Sequence, residues 1–148
     1  MRIYADTSFL VSWLYGKDTL HSKARRWFSA NSREQWLVSP WSEFETINSL
    51  RSLCVRRPGP AQELTEALRR LFKRIIQTGR MEKQEVDWDL VLRDAAQISA
   101  ARAATMKCRS ADILHVAILE QFNPDIFVSG DSNQVALART RGFNGVIF

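Results

Sequence analysis

A chain of 148 residues, 45% hydrophobic and 25% charged, is long enough to bury one sizeable core and too apolar to be disordered throughout. Its two cysteines, Cys54 and Cys108, lack CxxC spacing, which argues against a disulfide scaffold or a zinc site and fits a reducing cytosol; no apolar run reaches membrane-spanning length, and the first residues pass directly into a strand pattern without a signal peptide. The net charge is +5, yet residues 51–80 alone carry eight basic side chains against two acidic ones, a surplus that suits a polyanion and equally describes a solvated helix face.

In chain order, Arg2-Ile3-Tyr4-Ala5 reads as a short strand ending at Asp6. Thr7 can cap a helix carrying Phe9, Leu10, Trp13 and Leu14 at helical spacing and stopping near Gly16. A second helix is expected at about 19–30, then a strand at Trp36-Leu37-Val38. Ser39 followed by Pro40 gives an N-cap and first helical position, so a helix runs from there to about Val55, where Arg57-Pro58-Gly59-Pro60 breaks the chain. Ala61 to about Thr78 is amphipathic, with Leu64, Leu68, Leu71, Phe72, Ile75 and Ile76 as its apolar stripe. Met81 to Val86 fits a loop or a short strand. Trp88 to about Met106 reads as a helix, and Ser110 can cap another that stops before Pro124. Ile126-Phe127-Val128-Ser129 is a strand ending before Asp131, followed by a short helix to Arg141 and a closing strand at Gly145–Phe148. Apolar strands alternating with helices predict an α/β fold: a three-layer α/β/α sandwich with a central, mostly parallel sheet of four to five strands, in one domain over residues 1–148.

In an open α/β sheet, ligands bind beyond the carboxyl ends of the strands. Asp6 and Asp131 fall there, Asp112 lies in the first turn of the helix opening at Ser110, and Glu43 and Glu45 lie early in the helix opening at Pro40. Clustered carboxylates raise one another's pKa, and a hard divalent cation resolves that conflict. Singly, each acid has a structural explanation: Asp6 as a helix cap, Asp112 as a partner of a helix dipole, Asp131 as a turn residue beside Gly130, Glu45 as a solvated helix residue. Their joint placement is the functional signal. Glu43 and Glu45 differ by about 200° around a helix and cannot both face one site, and the apolar stripe of Trp41, Phe44, Ile47 and Leu50 lies between them, so the helical wheel leaves the choice open.

These segments resemble the PIN-domain family, and most closely its VapC-like toxins. The matching stretches are Ala5-Asp6-Thr7-Ser8-Phe9-Leu10, Glu45-Thr46-Ile47-Asn48-Ser49-Leu50-Arg51, Ser110-Ala111-Asp112-Ile113-Leu114-His115-Val116-Ala117, and Ser129-Gly130-Asp131 with Gly142-Phe143 beyond it. They come in the family's order and span nearly the whole chain. The resemblance implies a ribonuclease dependent on Mg2+ or Mn2+, with Asp6, Glu45, Asp112 and Asp131 as catalytic and metal-binding acids. It also implies a small antitoxin as partner, RNA as substrate and a homodimer. Motif spacing selects Glu45 over Glu43, and Asn48 lies on its side of the helix. Two positions depart from the common pattern: Ser129 replaces a threonine, and Asn133 stands where some relatives carry a further acid.

Among the remaining residues, His115 follows Asp112 by one helical turn, which would let it touch the site, but a hydrogen-bonded, partly buried structural histidine is the preferred reading. Most of the five tryptophans fit core packing better than base stacking. Arg51, Arg109 and the pair Arg56 and Arg57 beside the stiff Pro58-Gly59-Pro60 loop are candidates for phosphate contact. An aspartate-nucleophile phosphatase would want a second acid where Ser8 stands, and GxxxxGK[ST] is absent, which excludes a P-loop hydrolase. The rival reading is a non-catalytic PIN-like module that binds RNA or protein.

Overall fold

The computed structural model describes residues 1–56 and 58–148. Arg57, paired above with Arg56 as a phosphate contact, lies outside the described residues. Parallel strands are covered by helices on both sides, so their residues are apolar in unbroken runs rather than alternately. This is the pattern in β1 (Arg2–Ala5), β2 (Gln35–Val38) and β4 (Ile126–Ser129), whose last three residues are all buried. With β3 (Glu82–Lys83) and β5 (Gly145–Ile147) they form one parallel sheet in the order β3-β2-β1-β4-β5. The chain thus steps outward from β1 to β2 and β3, then returns to the other flank of β1 to lay down β4 and β5.

Side-chain alternation within the strands divides the core in two. On one face Ile3, Ala5, Trp36, Val38 and Val128 pack against α1 (Thr7–Leu14), α2 (His21–Ala30), α3 (Pro40–Ser52) and α4 (Gln62–Gln77). On the other, Tyr4, Leu37 and Phe127 meet α5 (Trp88–Arg102), α6 (Ser110–Phe122) and α7 (Ser132–Thr140). Three layers result, the α/β/α sandwich expected from the sequence.

Several local expectations are corrected. Thr7 is not the cap of α1; Asp6 is, accepting from the Phe9 N–H at 2.8 Å, and Thr7 is the first helical residue. Ser110 likewise begins α6 rather than capping it. The cap position is Arg109, whose N–H donates to the Asp112 carboxylate at 2.7 Å. α3 ends at Ser52 and tightens into a 3-10 turn over Leu53–Val55. α5 ends at Arg102, not Met106, because the Thr105 and Met106 N–H groups both converge on the Arg102 carbonyl and close a turn. Met81 to Val86 contains the edge strand β3, anchored by the fully buried Met81. Trp13 and Trp36 are core residues, and Trp27 and Trp41 are partly buried against the two cores.

The α4 stripe is wider than the surface it covers. Phe72 is wholly buried, and Leu68, Ile75 and Ile76 pack partly, while Leu71 is 48% exposed. Phe72→Ala is therefore expected to destabilise by about 3–5 kcal/mol, since it leaves a cavity beside Trp36-side packing, whereas Leu71→Ala should cost no more than about 1 kcal/mol. Urea unfolding of the two variants measures the contrast, and equal costs would contradict this placement of α4.

Candidate functional site

The strand order changes direction between β1 and β4, which are hydrogen-bonded neighbours. A crevice opens at the carboxyl ends of strands where such a switch occurs. Here it is a cleft of about 480 Å³ into which Asp6, Glu45, Asp112, Asp131, Arg56 and Arg109 all project. The four acids singled out in the sequence thus reach one cleft from β1, α3, α6 and the β4–α7 junction. Glu43 turns elsewhere and pairs with Lys83 at 3.4 Å.

Asp6 is the most enclosed of them. It receives the Phe9 N–H at 2.8 Å, the Ser8 hydroxyl at 2.8 Å and the Ser129 hydroxyl at 2.7 Å. Burial pushes its carboxyl up from the ordinary range, against the opposing field of His115 and those hydrogen bonds. Ser129 does what the expected threonine would do with its hydroxyl. The Gly130 N–H donates to Ser8 at 2.8 Å, and a Cβ at Gly130 would meet the Phe148 ring at 3.1 Å and Ser8 Oγ at 3.2 Å. A side chain there would crowd Phe148 and Ser8, which would have to give by a few tenths of an ångström.

Asp131 caps α7 with Oδ1, accepting from Asn133 N–H at 2.8 Å, and turns Oδ2 toward Arg109 Nη2 at 3.8 Å. Arg109 Nε lies 3.5 Å from Asp112 Oδ2, so one guanidinium bridges two of the acids from a side chain that is 80% exposed. Glu45 Oε2 accepts from the Thr7 hydroxyl at 2.5 Å and from His115 Nε2 at 2.8 Å. Burial pushes the Glu45 carboxyl up, but His115, Thr7 and Arg109 outweigh it and hold the group below the usual range.

His115 is buried and reaches the site at once, joining two readings that the sequence left as alternatives. Its one-turn spacing from Asp112 was the available signal; the link to Glu45 crosses 70 positions and was not legible. The basic stretch is divided by the fold. Arg56 lines the cleft, Arg51 and Arg69 both pair with Glu66, and Arg80 lies over the Phe28 ring.

The donors facing the cleft are hard oxygens, the chemistry that magnesium and manganese prefer. Among the described residues no three His, Cys, Asp or Glu side chains stand close enough to hold an ion jointly. That spacing does not fit zinc, which takes three or four protein ligands directly, and it fits an ion that keeps much of its water shell.

A family model described as PIN domain matches residues 3–140. Comparison with curated proteins finds no significant match. Among solved structures, VapC20 of Mycobacterium tuberculosis, titled a sarcin-ricin loop cleaving toxin, is similar with a TM-score of 0.69 and 20% identity, over 90% of this chain and 93% of that one. DNA-bound VapBC from Salmonella typhimurium gives 0.68 and 17%, over 99% and 98% of the two chains. FitAcB from Neisseria gonorrhoeae gives 0.66 and 16%, over 97% and 95%.

The raised Asp6 carboxyl has a consequence for stability. A buried acid that holds its proton longer in the folded than in the unfolded state makes stability fall as pH rises through its folded pKa. In metal-free protein, Asp6→Asn should remove that fall and gain on wild type between about pH 4 and pH 7. Urea unfolding across that window checks the sign; a variant that loses ground toward neutrality would show that the Asp6 charge stabilises the fold.

Proposed function

The chain belongs to the PIN-domain family, and from its oxygen-lined cleft we propose that it is a magnesium- or manganese-dependent endoribonuclease, the toxin of a toxin–antitoxin pair. The observation that carries this reading is the convergence of Asp6, Glu45, Asp112 and Asp131 from four separate elements on one cleft. These four acids would hold the ion between them, partly through the water shell that it keeps. When bound, it would supply Lewis-acid stabilisation of charge developing on the phosphate and would activate water for attack.

The chain's own residues do the remainder. Arg56 and Arg109 line the cleft and offer guanidinium groups to the phosphates on either side of the scissile bond. Ser8 and Ser129 hold the Asp6 carboxylate still, so that its position does not depend on the ligand. A recessed acidic floor admits unstacked RNA, such as a loop or single strand, more readily than a duplex. The similarity to VapC20, a sarcin-ricin loop cleaving toxin, supports a loop substrate as a class. The resemblance to VapC-like toxins supports an antitoxin, and Phe44, Val55, Leu64 and Leu71 expose apolar surface that an amphipathic partner helix or a second copy of the chain could cover.

One observation favours the second reading, a non-catalytic RNA- or protein-binding module: Arg109 lies at ion-pair distance from both Asp112 and Asp131, so a guanidinium can offset their charge. Cleavage separates the two. Purified protein should cut unstructured RNA with magnesium or manganese and stop in excess chelator, and Asp6→Asn should abolish cutting in a folded protein. Cutting that persists unchanged in chelator removes the metal mechanism; no cutting under any metal leaves the module.

Arg56 tests how RNA is held. Arg56→Ala should weaken RNA binding across sequences and flatten its salt dependence by a log–log slope of about one unit per lost phosphate contact. Metal affinity should not change. An unchanged salt slope would place the RNA elsewhere.

A further inference from the structure

We propose that His115 is a positioning residue for Glu45, fixing that carboxylate so that Oε2 is committed to the protein and Oε1 is the oxygen offered to a divalent cation. This rests on the metal-dependent reading given above and deepens it.

His115 borders the cleft but is only 2% exposed, and both ring nitrogens are engaged by protein partners. Nε2 lies 2.8 Å from Glu45 Oε2, and Nδ1 lies 2.9 Å from the Tyr4 hydroxyl. An ionised carboxylate only accepts, so with a neutral ring Nε2 carries the proton and Nδ1 is a bare acceptor. Tyr4 must then donate to Nδ1. Its oxygen is free to accept from the Ser39 hydroxyl, 2.9 Å away. Ser39 is the N-cap of α3, where its Oγ accepts from the Ser42 N–H at 3.0 Å.

The chain of hydrogen bonds therefore starts on α3 at its cap, crosses β1 through Tyr4 and α6 through His115, and returns to α3 at Glu45. A loop closed in this way fixes the carboxylate relative to the helix that bears it and to the two neighbouring elements. The Thr7 hydroxyl, from the turn after Asp6, adds a second donor to the same oxygen at 2.5 Å. Among the described residues no hydrogen bond is made by Oε1. A hydrophobic side chain at 115 would fill the core equally well, but it would leave Oε2 with Thr7 alone and Tyr4 without an acceptor. Partners that orient a metal-binding group in this fashion affect metal affinity by about 10–100-fold.

The experiment measures Mn2+ affinity by electron paramagnetic resonance for wild type, His115→Ala and His115→Gln, alongside thermal unfolding. A glutamine amide can place an N–H where Nε2–H stands. His115→Ala should weaken Mn2+ binding by about 10-fold or more, and His115→Gln should recover most of that loss even if both variants melt earlier. A folded His115→Ala with wild-type affinity overturns the proposal, as does a folded His115→Gln no better than alanine. The long-range 1H–15N spectrum of the metal-free wild type gives an independent reading that does not depend on either variant folding. A proton on Nε2 is expected, and a ring whose single proton sits on Nδ1 would overturn the assignment. Failure of the wild type to bind Mn2+ removes the metal-dependent function and with it the role of Oε1, while the ring spectrum still judges whether His115 holds Glu45.

Discussion

A carboxylate placed at the buried end of a central strand loses its water, and the protein must replace that water with donors fixed in position. Asp6 meets this demand with one backbone N–H and two hydroxyls, none of them carrying a formal charge. The donors come from two directions. Phe9 and Ser8 belong to α1, so Asp6 also serves as that helix's cap, while Ser129 is the last residue of β4. Ser129 can reach Asp6 only because β1 and β4 are paired, with Ala5 opposite Val128. Ser8 receives the Gly130 N–H at a position where a side chain would crowd Ser8 and Phe148. Satisfying one buried acid thus fixes the register of the two central strands, the start of α1 and the path of the loop leading to Asp131.

The same dependence explains what the sequence revealed and what it concealed. The central strands were legible because burial on both faces demands unbroken apolar runs, as in Ile126-Phe127-Val128. β3 was not, because at the sheet edge its two residues are Glu82 and Lys83, exposed and polar, and only their pairing with Leu37 and Val38 makes them a strand. Helices were found, and α5 starts at Trp88 as read, but two starts were misassigned by one residue where an acid took the capping bond. Asp6 took the cap from Thr7, and Asp112 bound the Arg109 N–H ahead of Ser110. In both places a residue valued for its possible chemistry was also holding a helix end, so the structural and functional readings were not rivals.

The site was legible where it followed from strand ends and motif order, and illegible where it depended on contacts far apart in sequence. The helical wheel could not choose between Glu43 and Glu45; the fold separates them by giving one Lys83 and the other His115. The charge surplus over residues 51–80 is spread over different surroundings. Glu66 engages two of its arginines, and among the described residues Arg56 is the member that lines the cleft. Composition reports charge along the chain, whereas a polyanion meets charge on a surface.

Around the cleft, the acids are partnered unevenly. Glu45 has His115 at its carboxylate, and Asp112 and Asp131 share Arg109. Asp6 has only neutral donors in contact, together with the more distant field of His115. It is also the most deeply buried of the four, so screening by solvent helps it least. Arg109 differs from His115 in one respect that matters: His115 is locked between two partners, whereas Arg109 is long, exposed and held at ion-pair distances beyond normal hydrogen-bond length. The donor at Glu45's side of the cleft is therefore part of the scaffold, and the guanidinium at the Asp112–Asp131 side is the part that can move when a cation or a phosphate arrives. Under the proposed function, the floor of the site is built before its ligand is bound and only the rim has to adjust.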